Sequence, residues 1–351
     1  MEVALGCGEL EACSHFRLRG EDEGIAGSPW REGLNQSRIL VTGGAGFIGS
    51  HLVESLLASG RAVTVLDDFS SGFRSNLAQL SGDLRVVEGS IRSESDCRTA
   101  MDGVQAISHQ AAFGSVPRSL EHPELYSANN VHGTVTLLQE ARRAGIRRVV
   151  LASSSSVYGD DTGLPKREDR VGRPLSPYAA SKRACELFAQ AFATGMGMSI
   201  FCLRYFNVFG PRQNPDGPYA AVIPLFIRAL LDGRRPGIHG DGLQARDFTH
   251  VENVVQANRK ALSSELPEGC RILNVACGKS TSVNQLFERI RIACGSSTEA
   301  IHGPDRAGDI RDSIADISEA RKVLGYDPFV GLDEGLERTV AWYRSNPVGI
   351  A

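Results

Sequence analysis

No apolar run in this chain approaches the length needed to cross a bilayer, so no membrane span is expected. No basic start followed by an apolar stretch opens it, so no secretory signal is expected. Charge of one sign is lacking too. The formal net charge of −3 argues against a general nucleic-acid or membrane-surface binder. The eight cysteines (Cys7, Cys13, Cys97, Cys185, Cys202, Cys270, Cys277 and Cys294) have no metal-like spacing, and no metal site is expected. Cys185 and Cys202 sit in apolar contexts that predict buried free thiols, and a reducing cytoplasm is the simplest setting. Internal repeats are absent. What remains is 351 residues with 42% apolar content, enough for one large α/β unit and a smaller lobe.

Residues 1–36 are polar and glycine-rich without sustained periodicity, which predicts a flexible extension. From Arg38 to about Leu203, strand-like runs alternate with helical ones. Strands are predicted near 38–43, 62–67, 84–88, 104–109, 148–152 and 199–204, and helices near 47–59, 93–101, 123–144 and 177–194. The alternation predicts a Rossmann-type, doubly wound parallel sheet. Gly-Pro, Asn-Pro and Asp-Gly breaks then crowd 210–242. The expected division is a dinucleotide-binding domain over 37–206, with a return segment near 244–264. A smaller C-terminal substrate-binding α/β lobe follows over 207–243 and 265–345. The long helices near 123–144 and 177–194 suit pairing in a homodimer.

The first strand, Arg38-Ile39-Leu40-Val41-Thr42, runs into glycines at Gly43, Gly46 and Gly49. Ile48, Leu52, Leu56 and Leu57 follow at helical spacing. Such glycines allow a tight turn, close approach of backbone to a pyrophosphate and packing of helix on strand. The helix N-terminus then offers amide donors and partial positive charge. A second strand ends at Asp67, roughly 20 residues on, where a carboxylate accepts both ribose hydroxyls. Asp67 and Asp68 would repel a 2′-phosphate, which favours NAD over NADP, while Arg74 nearby works against that preference.

Tyr178 and Lys182 stand four apart, about one turn on the same face of a helix. A free tyrosine, with a pKa of about 10, is a poor base at neutral pH. A nearby ammonium or a cationic nicotinamide ring favours the phenolate. A serine hydroxyl from Ser153-Ser154-Ser155-Ser156 can share the same substrate oxygen. Together these groups suit removal of an alcohol proton while hydride leaves the same carbon.

With the glycine loop and the serine segment, Tyr178 and Lys182 resemble the extended short-chain dehydrogenase/reductase superfamily, over about 37–345. Within it the chain is most similar to nucleotide-sugar 4-epimerases. Shared motifs include Leu203-Arg204-Tyr205-Phe206-Asn207-Val208-Phe209-Gly210, and Gly240-Asp241-Gly242 followed by Arg246-Asp247-Phe248. Gly114-Ser115-Val116-Pro117-Arg118-Ser119 and Tyr219-Ala220-Ala221-Val222-Ile223-Pro224 resemble the subgroup acting on UDP-N-acetylglucosamine and UDP-N-acetylgalactosamine. The resemblance implies NAD, with Gly43, Gly46, Phe47, Ile48, Gly49, Asp67, Ile91, Asn129, Tyr178 and Lys182 around it. It implies catalysis by Ser154, Tyr178 and Lys182. It implies UDP-sugar contacts from Ser115, Ser154, Ser156, Tyr178, Asn207, Val222, Arg246, Arg306 and Ser313. Two positions depart from the family pattern: Ser90 and Asn253 stand where Asp is usual.

Dehydratases of this superfamily carry Asp-Glu directly after the catalytic serine or threonine, and decarboxylating relatives carry Glu at the position of Ser156. Here Ser155 and Ser156 occupy those places and supply no carboxylic acid. The resemblance therefore implies inversion at carbon 4 through a transient 4-keto sugar. Ser313 matches a gate that is tyrosine in glucose-restricted relatives, and a serine leaves room for an N-acetyl group. UDP-glucose and UDP-N-acetylglucosaminuronate stay open as substrates, with Arg118 either the partner of a 6-carboxylate or a cap of its helix region. A non-catalytic nucleotide-sugar- or NAD-binding regulator is the rival of another class, and an oxidoreductase releasing NADH is a further one.

Overall fold

The computed structural model describes residues 37–216, 220–265, 269–304 and 311–346. Residues 1–36, Tyr219 and Arg306 lie outside them. Seven parallel strands form the main sheet: β1 Arg38–Thr42, β2 Ala62–Asp67, β3 Leu84–Glu88, β4 Val104–His109, β5 Arg148–Ser154, β6 Ser199–Tyr205 and β7 Gly269–Val275. Their spatial order is β7-β6-β5-β4-β1-β2-β3. Continuous apolar runs explain the central strands. Ile39, Leu40 and Val41 are buried, as a sheet covered on both faces requires.

One face is covered by α1 (Phe47–Ala58) and by the helix Val251–Ser263, where Leu52, Leu56, Val254 and Ala261 join Ile39 and Val41. The other face carries α2 (Glu94–Ala100), α3 (Gly133–Arg143) and α4 (Pro177–Met196). There Cys97, Leu137, Ala189 and Phe192 pack on Leu40 and Leu66. Ser176 caps α4 by accepting from the Ala179 N–H, Pro177 follows it, and left-handed Gly197 ends the helix. Strand order reverses between β1 and β4, which opens a crevice beyond their carboxyl ends.

A second core lies in the smaller lobe, where α5 (Val222–Leu231), α6 (Val283–Ala293) and α7 (Leu332–Ser345) meet. Phe226 and Phe287 pack edge to face at 5.8 Å. In the same lobe Ala245–Arg246 pairs with both Thr281–Ser282 and Asp312–Ser313.

Two expectations change. Gly269–Val275, expected in the smaller lobe, is the seventh sheet strand, in register with β6 from Ser199 to Tyr205. Its position along the chain suggests the lobe, whereas Ile272-Leu273-Asn274-Val275 has the composition of a sheet strand. The helix Ser318–Leu324 also packs on this side, with Ala320, Leu324 and Tyr326 in the sheet's core. The single helix expected over 123–144 is broken by a π turn over Ser127–His132, between Pro123–Tyr126 and α3. Cys185 and Cys202 are buried free thiols.

Candidate active site

β1 delivers its chain into the crevice through Gly43, at φ +65°. A Cβ there would lie 2.7 Å from the Ala111 nitrogen. At Gly49 a Cβ would lie 2.0 Å from the Gly43 carbonyl oxygen, so α1 approaches the loop only because that position is glycine. Gly46 precedes α1 without any side-chain cap, and the first turn holds no acidic residue. The helix therefore presents free amide donors to an anion. Asp67 ends β2 under this loop and accepts from the Ala45 N–H at 2.9 Å and the Phe69 N–H at 2.8 Å. Each carboxylate oxygen keeps a lone pair for a ribose hydroxyl. Burial raises the Asp67 pKa, while the two backbone bonds lower it. Arg74 pairs with Glu88 at 2.6 Å and lies 4.0 Å over the Phe69 ring, so its charge is engaged. This cradle fits NAD: an uncapped helix end for the diphosphate, and a carboxylate that disfavours a 2′-phosphate.

The cleft holds about 340 Å³. Gly43, Gly46, Phe47, Ile48, Gly49, Asp67, Ile91, Asn129, Tyr178 and Lys182 all line it. Sequence reasoning missed Ser70, Ser71, Gln110 and Tyr205, which line it as well. For Ser70 and Ser71 the signal was a polar loop directly after Asp67. Tyr205 belongs to the motif Leu203–Gly210, whose pattern alone gives it no cofactor role. Gln110 accepts from the Tyr205 hydroxyl at 3.1 Å.

Tyr178 stands in the first turn of α4 and Lys182 one turn on. The Lys182 ammonium donates to the Ala152 carbonyl at 2.8 Å, and burial lowers its pKa. Burial raises the Tyr178 pKa, opposed by a hydrogen bond with the Ser154 hydroxyl. The expected depression of this phenol is thus absent from the protein's own surroundings, because desolvation outweighs the bond to Ser154. The Tyr178 ring packs against Tyr126 at 6.1 Å. Asn129 lies in the π turn, a distortion often found at functional sites.

Of the substrate candidates, Ser154 accepts from the Ser156 N–H at 3.1 Å and so caps the turn Ser155–Tyr158. The Ser156 hydroxyl is buried without a partner, a polar group available to a ligand. Ser115 caps the short helix Val116–Glu121 by accepting from the Arg118 N–H, and the Arg118 guanidinium lies 4.9 Å from the Phe113 ring centre. Asn207, at φ +34°, donates to the Asp247 carbonyl at 3.1 Å. Val222 opens α5 and packs on the lobe's core. Arg246 and Ser313 are register neighbours in the three-stranded sheet. Among the described residues, these four lobe positions lie outside the lining of the cofactor cleft, and so do Ser115, Ser154 and Ser156.

Residues 39–276 match the NAD dependent epimerase/dehydratase family. A UDP-glucose 4-epimerase from Mycolicibacterium smegmatis is 41% identical over 312 residues, covering 88% of this chain and 99% of that one. The structure of a UDP-N-acetylglucosamine 4-epimerase from Methanobrevibacter ruminantium, in complex with UDP-N-acetylmuramic acid, superposes with a TM-score of 0.84 at 38% identity. It covers 89% of this chain and 99% of its own. A Thermus thermophilus UDP-glucose 4-epimerase in complex with NAD superposes with a TM-score of 0.80 at 35% identity, covering 88% and 99%.

Proposed function

Because this chain belongs to the NAD dependent epimerase/dehydratase family, we propose that it inverts carbon 4 of a UDP-sugar, interconverting UDP-N-acetylglucosamine and UDP-N-acetylgalactosamine. One observation carries the reading. The Ser154 hydroxyl lies near enough to the Tyr178 phenol to oppose the effect of burial on its pKa, and the next two residues, Ser155 and Ser156, bring no carboxylic acid. A keto sugar formed here has no acid to drive elimination, so reduction is its remaining course.

In this reading the Tyr178 oxygen takes the proton of the 4-hydroxyl, while the Ser154 hydroxyl hydrogen-bonds the same sugar oxygen. Lys182 contributes positive charge on the Tyr178 face of α4, which favours the phenolate. NAD, when bound, supplies reversible hydride acceptance and return. Arg246, Arg306 and Asn207 hold the diphosphate, the arginine forks matching phosphate oxygens. That grip leaves the sugar free to turn and present its other face. Tyr178 then returns the proton to the same oxygen, and no net oxidation results. The sheet domain serves the cofactor, and residues 207–246 with the lobe segments after β7 serve the UDP-sugar.

Ser313 supports the N-acetyl sugars, since it is a register neighbour of Arg246 and its side chain is far smaller than the tyrosine of glucose-restricted relatives. The 41% identity to a UDP-glucose 4-epimerase favours UDP-glucose as the second reading. We further propose that two copies of the chain pair as a homodimer. The test is incubation of purified protein with each UDP-sugar separately, followed by proton NMR at the anomeric and carbon-4 positions. UDP-N-acetylglucosamine is expected to convert to UDP-N-acetylgalactosamine without NADH accumulating. Sustained NADH release, or no interconversion of any UDP-sugar, would sink the proposal.

A further inference from the structure

Asn274 lies near the carboxyl end of β7 and is fully buried. Its side chain offers one acceptor oxygen and two amide hydrogens. All are used, and all reach segments distant in sequence. The Tyr158 hydroxyl donates to Asn274 Oδ1 at 2.6 Å. Asn274 Nδ2 donates to the Lys166 and Asp316 carbonyls, each at 2.9 Å. The Asn274 backbone N–H donates to Glu168 Oε1 at 2.8 Å. Three loops converge here: the turn capped by Ser154, the loop 161–170, and the segment after Ser313.

The second and third of these are also joined directly. The Lys166 N–H donates to the Ile314 carbonyl at 2.8 Å, and the Asp316 N–H to the Lys166 carbonyl at 3.0 Å. The Ala315 N–H donates to Asp247 Oδ2 at 3.3 Å, next in sequence to Arg246. The serine turn reaches this assembly by two routes: the Asp161 N–H donates to the Tyr158 carbonyl at 3.1 Å, and the Tyr158 hydroxyl reaches Asn274. Arg204 stacks 4.9 Å over the Tyr158 ring and fixes its direction.

We propose that Asn274 is a positioning residue for sugar selectivity, tying the turn that carries Ser154 and Ser156 to the segment that carries Ser313. Resting on the UDP-sugar reading above, this tie fixes the distance between the reacting end of the pocket and its gate. A residue that only packs would, when changed, lower the folded fraction and reduce activity on every sugar alike. A residue that sets pocket width changes the ratio between sugars of different bulk.

Two variants test this. Asn274→Asp keeps an oxygen facing Tyr158 but turns a second oxygen, in place of the amide donor, toward two carbonyls. Tyr158→Phe keeps the ring and the backbone bond to Asp161 and removes the hydroxyl, with its bond to Asn274 and its interaction with Arg204. For folded preparations, checked by circular dichroism, kcat/KM is measured with UDP-N-acetylglucosamine and UDP-glucose. The ratio of the two is expected to move toward one by about tenfold in Asn274→Asp, and in the same direction in Tyr158→Phe. Amide hydrogen exchange is expected to quicken in peptides covering 161–170 and 311–318 of Asn274→Asp, and not in those covering β1 and β4. A ratio unchanged while both activities fall, or exchange that is unaltered or raised throughout the chain, overturns the inference. A wild-type protein that turns over neither sugar sinks the proposed function instead, and the exchange measurement still decides the tie.

Discussion

Tyr178 is a weaker acid in this fold than in water, because burial outweighs its bond to Ser154. A base at this position therefore needs positive charge in the cleft beyond what the folded chain aims at it, and the Lys182 ammonium is turned to the Ala152 carbonyl. If the phenol carries the proton, Tyr178→Phe loses about a thousandfold in kcat, within the usual range for general acid–base groups. NMR initial rates on protein of unchanged circular dichroism check this, and undiminished turnover would remove the role. Gly49 makes a harder demand. The Gly43 carbonyl it faces is backbone, so a methyl 2.0 Å away cannot be absorbed by a side-chain rotation. Gly49→Ala is expected to purify with little bound NAD, read by acid release and an enzymatic NAD assay, while wild type carries it. Retained NAD would show that the loop can open. The Asn at 253 has its own reason. Its oxygen accepts from the Phe329 and Val330 N–H groups, each at 3.0 Å, and its amide donates to the Val330 carbonyl at 2.9 Å. An ionised aspartate could not make that last bond.

Between elements, Asp247 does for the lobe what Asn253 does for one loop. Its carboxylate accepts from the Cys277 N–H at 3.0 Å and the Gly278 N–H at 2.9 Å after β7, and from the Ala315 N–H at 3.3 Å. Burial nevertheless raises its pKa from 3.8 to about 6, since desolvation exceeds the gain from those bonds. A folded-state pKa raised above the unfolded one means that the folded chain binds the proton more tightly. The stabilisation is full below the unfolded value and lost as pH rises through about 6. The stability of wild type relative to Asp247→Asn is therefore expected to fall by about 2 kcal/mol from pH 4.5 to 7.5. Thermal melts of both proteins at those two pH values measure it, and a wild-type stability that rises with pH relative to the variant contradicts the assignment. Such ties are invisible in sequence because their partners lie tens of residues apart. The sheet strands were legible for the opposite reason: Ile39-Leu40-Val41 and Val63-Thr64-Val65-Leu66 announce burial locally. The π turn was not legible, since widening one helical turn leaves the apolar spacing of 123–143 nearly intact. Pairs such as Ala245–Arg246 are too short for periodicity and exist only through Thr281–Ser282 and Asp312–Ser313. In the site, the glycines and Asp67 could be read because their chemistry is local, while Ser70 and Ser71 reach the cleft only by the path of their loop.

For the molecule as a whole, the sheet buries one side of α4, and among the described residues the other side stays largely exposed. Ala184, Leu187, Phe188 and Ala191 recur there at the spacing of one helical face. Leu187 is 51% exposed and Phe188 41%, with Leu120 at 63% on the short helix Val116–Glu121. Contiguous exposed apolar side chains of this size usually mark an interaction site. A two-fold axis lets one patch cover its own copy, so each buried side chain counts twice. Taking about 1 kcal/mol for completing the burial of each half-covered residue, Leu187 and Phe188 together contribute about 4 kcal/mol per dimer. That is roughly a thousandfold in Kd. The wild-type protein is therefore expected to elute at micromolar concentration with twice the mass of one chain by light scattering. Leu187→Glu combined with Phe188→Glu is expected to give a monomer of unchanged circular dichroism, because four carboxylates would otherwise face one another across the axis. The cleft is lined from within one chain, so the monomer should still bind NAD. A double variant that stays dimeric would move the interface elsewhere on the surface.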